Sequence, residues 1–399
     1  MPIYQIVTMK HAIKPVARNR RVVQQRGVTL IEVMVGLAVG LLATLVIAQS
    51  LSVAEGLKRT TTAGSDAQVN GAIALYTIQR DVQMAGYGLS TSAGGLGCPI
   101  RAHHATDPAY DPNDPSTYRV FSMVPVQITD GASNGPDTIN FMVSTKPYAV
   151  PVKVTVDHPR TAANFFIQST LGFADNDLVI AVPKTIDANN WCSLFNVTGV
   201  GGGNGNGNGN GQGQNQVIHD PGSNGPWNQP GGQTIFPTAG YPADSYLINV
   251  GQFVNKTYSI SAGQSLHLQT FTTFSVGTTE EDLYPHVVNL QAMYGKDTDG
   301  DGVVDTYDNT TPTDSTGWSR VLAVRVAVIA RSANYEKDAV TFSEPLWDVG
   351  NAGTVSGSAT CGSSRCLTLK VNGLVTDWDH YRYKVYDTVV PLRNVIWTS

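Results

Sequence analysis

"RGVTLIEVMVGLAVGLL", residues 26–42, is apolar enough to enter a membrane except for one carboxylate, Glu32. The apolar run extends from Val28 to Ala48. As a helix it would span roughly 30 Å, the thickness of the hydrocarbon core. A charge inside such a run costs roughly 2.5 to 3.5 kcal/mol on insertion scales, so Glu32 calls for a partner. Lys10, Lys14, Arg18, Arg20, Arg21 and Arg26 precede the run, with no acidic residue among them. The positive-inside rule keeps that leader in the cytoplasm and sends the carboxyl-terminal part outward. "SVA" at Ser52–Ala54 has the look of a secretory cleavage site, but the apolar run is longer than a usual signal core.

Without those six cations the net charge of −5 becomes −11. An acidic body with no basic stripe excludes nucleic acid as a partner, because binding to phosphates needs clustered Lys and Arg. The chain of 399 residues is 41% apolar and only 14% charged, against roughly 25% charged in typical soluble domains. With 40 glycines, this composition suits a turn-rich, β-rich exported domain. Four cysteines, Cys98, Cys192, Cys361 and Cys366, lack the C-x-x-C spacing of zinc or redox sites. They allow three pairings, and the short "CGSSRC" spacing favours Cys361–Cys366, leaving Cys98–Cys192.

Past the apolar run, "NGAIALYTIQRDVQMAGYGL" (residues 70–89) sets Leu75, Ile78, Val82 and Ala85 on one helical stripe, with Arg80 and Asp81 beside it. Gly86 and Gly88 end the pattern. One helix from about 28 to 86 is the expectation. From Ser90 the period becomes two, with candidate strands "TINFMVS", "VPVKVTV", "DLVIAVP", "SYLINVG", "SLHLQTF", "HVVNLQAMY" and "RVLAVRVAVIAR". In the last, Leu322, Val324, Val326 and Val328 face one way, while Arg325 and Arg331 face the other. "GGGNGNGNGNGQGQNQ" (201–216) and "PGSNGPWNQPGG" (221–232) read as a mobile loop unable to bury a core. The glycines lack the strand-to-helix context and the Lys of a phosphate loop. His103 and His104, without a third ligand at suitable spacing, read as a surface loop.

"DTDGDGVVDTYD" carries the densest chemical signal: Asp297, Asp299, Asp301, Asp305 and Asp308 at loop positions one, three, five, nine and twelve, with Gly302 at six. Carboxylates this close repel unless a cation joins them. The spacing is that of an EF-hand loop, in which the position-seven carbonyl, here that of Val303, also faces calcium. Asp replaces the usual bidentate Glu at position twelve. The flanks read as strands, so the expected calcium is structural, with no helix pair to open. No Ser or Cys nucleophile motif accompanies it, and the expectation is a non-enzyme.

The junction Gly27, Val28, Thr29, Leu30, Ile31, Glu32 resembles the type III signal of type IV prepilins. "LYTIQRDVQMAGYG" (75–88) and the closing "YRYKVYDTVVPLRN" (381–394), with Leu392, Arg393 and Asn394, resemble the PilW family of minor pilins. The resemblance implies a cut by prepilin peptidase between Gly27 and Val28, methylation of the new amino terminus at Val28, and pairing of Glu32 with the free amino terminus of a neighbouring subunit. Val28 stands where Phe is commoner, and the run lacks the proline that kinks many major-pilin helices, which points to a minor subunit.

The fold class implied is α+β: a long pilin-like amino-terminal helix, membrane-spanning in its first half and amphipathic in its second, packed on an antiparallel β-sheet domain with long loops. The organisation expected is a cleaved leader (1–27), a membrane or filament-core half helix (28–48), an amphipathic half (49–88) and a globular domain (89–399). That domain would hold the Gly/Asn-rich loop 201–232 and the calcium loop 297–308. The implied partners are the inner membrane, other minor pilins, the major pilin and a PilY-type tip adhesin. The implied role is in starting pilus assembly. A J-type minor pseudopilin of type II secretion shares this architecture, and a membrane-anchored calcium-dependent adhesin shares its parts.

Overall fold

In the computed structural model, α1 (Leu30–Val82) is a single helix of 53 residues. Residues described are 27–89, 93–111, 113–146, 150–201, 215–220, 225–228, 235–274, 277–351, 353 and 358–396. The chain divides into two units, 1–58 and 59–399. In the first, the helix is apolar on every side and its side chains are exposed. The stretch Leu30–Lys58 is long and apolar enough to cross a membrane.

In the second unit the helix becomes one-sided. Ala74, Ile78, Val82 and Ala85 are buried, with Leu75 at the margin, in a core shared with Ile139, Phe141, Tyr258, Leu290, Tyr294, Val324, Val326 and Val328. Fully burying a side chain such as Ile78 or Val82 contributes about 1.5 to 3 kcal/mol. Gly71 brings the helix close to its sheet, since a Cβ there would lie 2.5 Å from the Tyr386 ring and 3.0 Å from Ala330 Cβ. The regular helix stops at Val82, and Gly86 and Gly88 then take φ of 72° and 75°, conformations that a side chain disfavours. The exit is pinned by Gly86 N–H to Met142 O (3.1 Å) and by the Asn394 amide to Ala85 O (3.0 Å).

Two antiparallel sheets enclose this core. One has five strands in the order 277–285, 265–272, 253–260, 135–144, 127–131; the other has four, in the order 306–308, 287–296, 321–331, 383–391. A six-stranded sheet (119–122, 99–102, 192–196, 178–182, 246–251, 152–153) builds a second core and contains a parallel pair, 99–102 with 192–196. The Cys98–Cys192 disulfide joins that pair, and Cys361–Cys366 closes a hairpin in the three-stranded sheet of 346–350, 364–368 and 358–361.

The strand 321–331 alternates in register, but its second face does not meet water. Ala327 and Ile329 are covered by Trp347, Val349 and Leu367 of the small sheet, and Arg325 reaches Asp387 at 2.7 Å. Burial on both faces explains why the run is nearly all apolar. The loop expected over 201–232 also needs correction. Most of it lies outside the described residues, but Gln216–Ile218 is a strand pairing with 164–166 and 199–201, and Trp227 is buried to 1% exposure. A polar, glycine-rich composition concealed two anchors.

Candidate functional site

Thr29 starts α1. Its hydroxyl accepts the Glu32 N–H at 3.3 Å and its carbonyl accepts the Val33 N–H at 3.2 Å, which satisfies donors that a helix start leaves open. Glu32 thus stands in the first turn and not within a helix interior, where the positive end of the helix dipole favours a carboxylate. T-x-x-E is the capping-box pattern, of which the structure shows the Thr29 half; the dipole itself is worth about 0.3 to 1 kcal/mol to a carboxylate here. That is less than the roughly 2.5 to 3.5 kcal/mol of membrane burial, so the dipole offsets part of the cost and leaves the rest. Gly27 and Val28 are exposed ahead of the helix, and residues 1–26 of the leader lie outside the described residues.

The aspartate loop connects strand 287–296 to the short strand 306–308. Asp297 is buried, and its two carboxylate oxygens accept the N–H groups of Gly300 (2.5 Å) and Gly302 (2.9 Å). Those glycines adopt φ of 87° and 85°, which lets the chain fold back over Asp297. Asp305 accepts the N–H and hydroxyl of Thr298 at 2.6 and 2.7 Å. The donated backbone bonds hold both carboxyls below the usual carboxylate range, from Gly302 N–H first for Asp297 and from Thr298 N–H first for Asp305.

Asp297, Asp299 and Asp305 bring one oxygen each to within 4.8 Å of one another, a group that could hold a metal ion. Asp301 lies outside that group and accepts the Val303 N–H at 2.8 Å. Asp308 has a different job: in strand 306–308 its carboxylate takes the Lys296 ammonium at 2.6 Å and Thr310 N–H at 2.8 Å. Loop positions one, three and nine converge, while five and twelve do not.

His103 and His104 are not on a surface loop. They are 4% and 7% exposed; His103 Nε2 lies 2.8 Å from Pro108 O, and the His104 ring meets Trp227 edge-on at 5.0 Å. Two further contacts gave no sequence signal because their partners are remote. Asp81 (6% exposed) accepts the Lys256 ammonium at 2.6 Å and the Tyr258 hydroxyl at 2.8 Å, while Arg80 beside it is mostly in solvent. His158 and His219 meet in an aromatic pocket, with Nε2 atoms 2.9 Å apart.

Residues 254–394 match the family model for type IV pilus-assembly protein W (PilW), and residues 23–48 match the prokaryotic N-terminal methylation motif. The chain carries a PilW segment behind an N-terminal methylation motif. That segment covers the aspartate loop, Lys256, Tyr258 and Asn394, and leaves 89–253 outside it. A type IV-like pilin from Thermus thermophilus is similar at 8% identity over 82% of this chain and 97% of that one, with a TM-score of 0.31. No curated protein matches the chain. The motif implies processing by a prepilin peptidase and assembly with other pilins, and the apolar helix is consistent with membrane anchoring.

Proposed function

We propose that this chain is a minor pilin of a type IV pilus that acts in starting pilus assembly or in a tip complex. It is cut after Gly27, methylated at Val28, and held in the inner membrane by residues 28–48 with its body in the periplasm. It then enters the filament, where Glu32 meets the amino terminus of a neighbouring subunit. The observation that supports this best is the joint presence of the methylation motif at 23–48 and the PilW segment at 254–394 on one chain. Deleting the gene should abolish surface pili while exoprotein release continues. Loss of exoprotein release with intact pili would instead assign the chain to type II secretion.

Calcium is the proposed ion of the aspartate loop. Oxygen donors alone suit Ca2+, which takes six to eight oxygens at 2.3–2.6 Å. Asp297, Asp299 and Asp305 supply carboxylates; Asp301 and the Val303 carbonyl are the remaining loop candidates, and Asp308 is committed to Lys296. The ion's role here is to neutralise three carboxylates and fix the turn between two strands. At a free calcium concentration 100 times Kd, binding stabilises the folded chain by about 2.7 kcal/mol. Thermal unfolding in detergent should therefore shift upward with calcium and downward with chelator. The paired change Asp299→Ala, Asp305→Ala should remove the shift, and a wild-type protein indifferent to both reagents defeats the calcium reading.

A further inference from the structure

His158 and His219 are 2% and 3% exposed, in a pocket of rings. His158 stacks on Phe165 with centroids 3.6 Å apart and meets Phe236 edge-on at 5.4 Å; His219 lies 4.9 Å from Phe195. Each is tied into backbone pairing. His158 exchanges two hydrogen bonds with Tyr241 (2.7 and 2.9 Å), and His219 N–H donates to Ala163 O (2.9 Å) at the end of strand 216–218. The Nε2···Nε2 contact of 2.9 Å is an N–H···N hydrogen bond, which requires one ring to donate and the other to keep a lone pair. No third metal-ligating side chain joins the pair among the described residues.

We propose that this pair is an acid-sensitive latch: it holds residues 215–220 of the Gly/Asn-rich insertion on the body near neutral pH and releases them in acid. A first proton places an uncompensated charge among rings, and a second removes the acceptor that the contact needs. Among the described residues, no charged side chain faces the pair to balance a charge. Phe165, Phe195 and Phe236 are apolar, and the Tyr241 phenol, raised far above its ordinary range by burial, stays neutral while donating to Ser193 Oγ. The charged neighbours along the chain are at the surface, Asp157 and Asp220 exposed and Arg160 half-exposed.

Burial lowers both imidazoles from 6.5, His158 to about 4 and His219 to about 3, with the neighbouring ring adding to the effect on His219. The released His219 regains an ordinary pKa near 6.5, while His158 stays on the body, paired with Tyr241. The latched state therefore binds fewer protons than the released state. Its advantage is complete above about pH 6.5 and is lost as the pH falls through that value toward 4. One such group raises the released fraction about 30-fold between pH 7.5 and 5.0.

Hydrogen exchange of the full chain in detergent micelles tests this, with rates normalised to intrinsic exchange at each pH. Protection at 215–220 should fall by about 30-fold between pH 7.5 and 5.0, relative to strand 321–331. The double variant His158→Gln, His219→Gln can keep an amide hydrogen bond that does not titrate and should give a flat profile. Unchanged wild-type protection at 215–220 overturns the latch, as does a folded double variant that keeps the response. Should that variant fail to fold, the wild-type profile decides alone.

Discussion

Replacing Glu32 with leucine is expected to leave the chain inserted in the membrane and processed, yet absent from sheared pili. The expectation comes from magnitudes. A carboxylate in an apolar segment costs roughly 2.5 to 3.5 kcal/mol. Its place in the first turn of α1, at the positive end of the helix dipole, returns about 0.3 to 1 kcal/mol. Insertion and helix formation alone would favour the leucine. A carboxylate at this position is accounted for only by a later step in which a cation meets it, and the proposed cation is the new amino terminus of a neighbouring subunit. Glu32→Gln separates charge from hydrogen bonding: it keeps the size and acceptor and should also fail to assemble. Normal amounts of either variant in sheared pili would show that the charge has no partner.

The second large effect is on the body. Asp81→Ala is expected to cost about 3 kcal/mol of stability, read by denaturant unfolding in detergent. Removing one partner of a buried ion pair typically costs 3 to 5 kcal/mol. The low end applies because the Lys256 side chain keeps 27% of its surface in solvent. Without Asp81 the Tyr258 hydroxyl, fully buried, also loses its acceptor. Adding Lys256→Met to Asp81→Ala should recover part of the loss, because the stranded ammonium goes with it. A cost under 1 kcal/mol for Asp81→Ala would mean that water satisfies the site and that α1 is held by apolar packing alone. Against a total stability of about 5 to 15 kcal/mol, a loss of 3 decides how much folded chain is available for assembly.

The Asp81 contact shows where reading the sequence stops. Arg80 and Asp81 stand together in "TIQRDVQ", and adjacency suggests a pair, but residues i and i+1 diverge on a helix. Arg80 approaches Asp81 only to 3.4 Å with its side chain 62% exposed, while the partner that closes at 2.6 Å is 175 residues away. Lys256 itself sits in "FVNKTYSI", which has too many polar residues to read as a strand. It is one because its strand lies mid-sheet with the lysine reaching α1.

The same limit governs the rest of the chain. The stripe Ile78, Val82, Ala85 is a local pattern of period 3.6, visible in the residues themselves. So are the hairpin strands with alternating burial, such as 135–144. The strand 277–285 was not, because an exposed edge carrying Glu280, Glu281 and Asp282 has no apolar face to betray it. In the aspartate loop the spacing of Asp297, Asp299 and Asp305 carried the convergence. The departure of Asp308 to Lys296 depended on sheet register, which no spacing rule contains. Trp227, His158 and His219 are buried by chain segments distant in sequence.

The central claim is that a prepilin cut creates the mature subunit, and intact-mass measurement with amino-terminal sequencing of this protein from sheared pili tests it directly. The predicted result is one species beginning at methylated Val28. A species beginning at Met1, or after Ala54 as a secretory signal would leave it, contradicts the account.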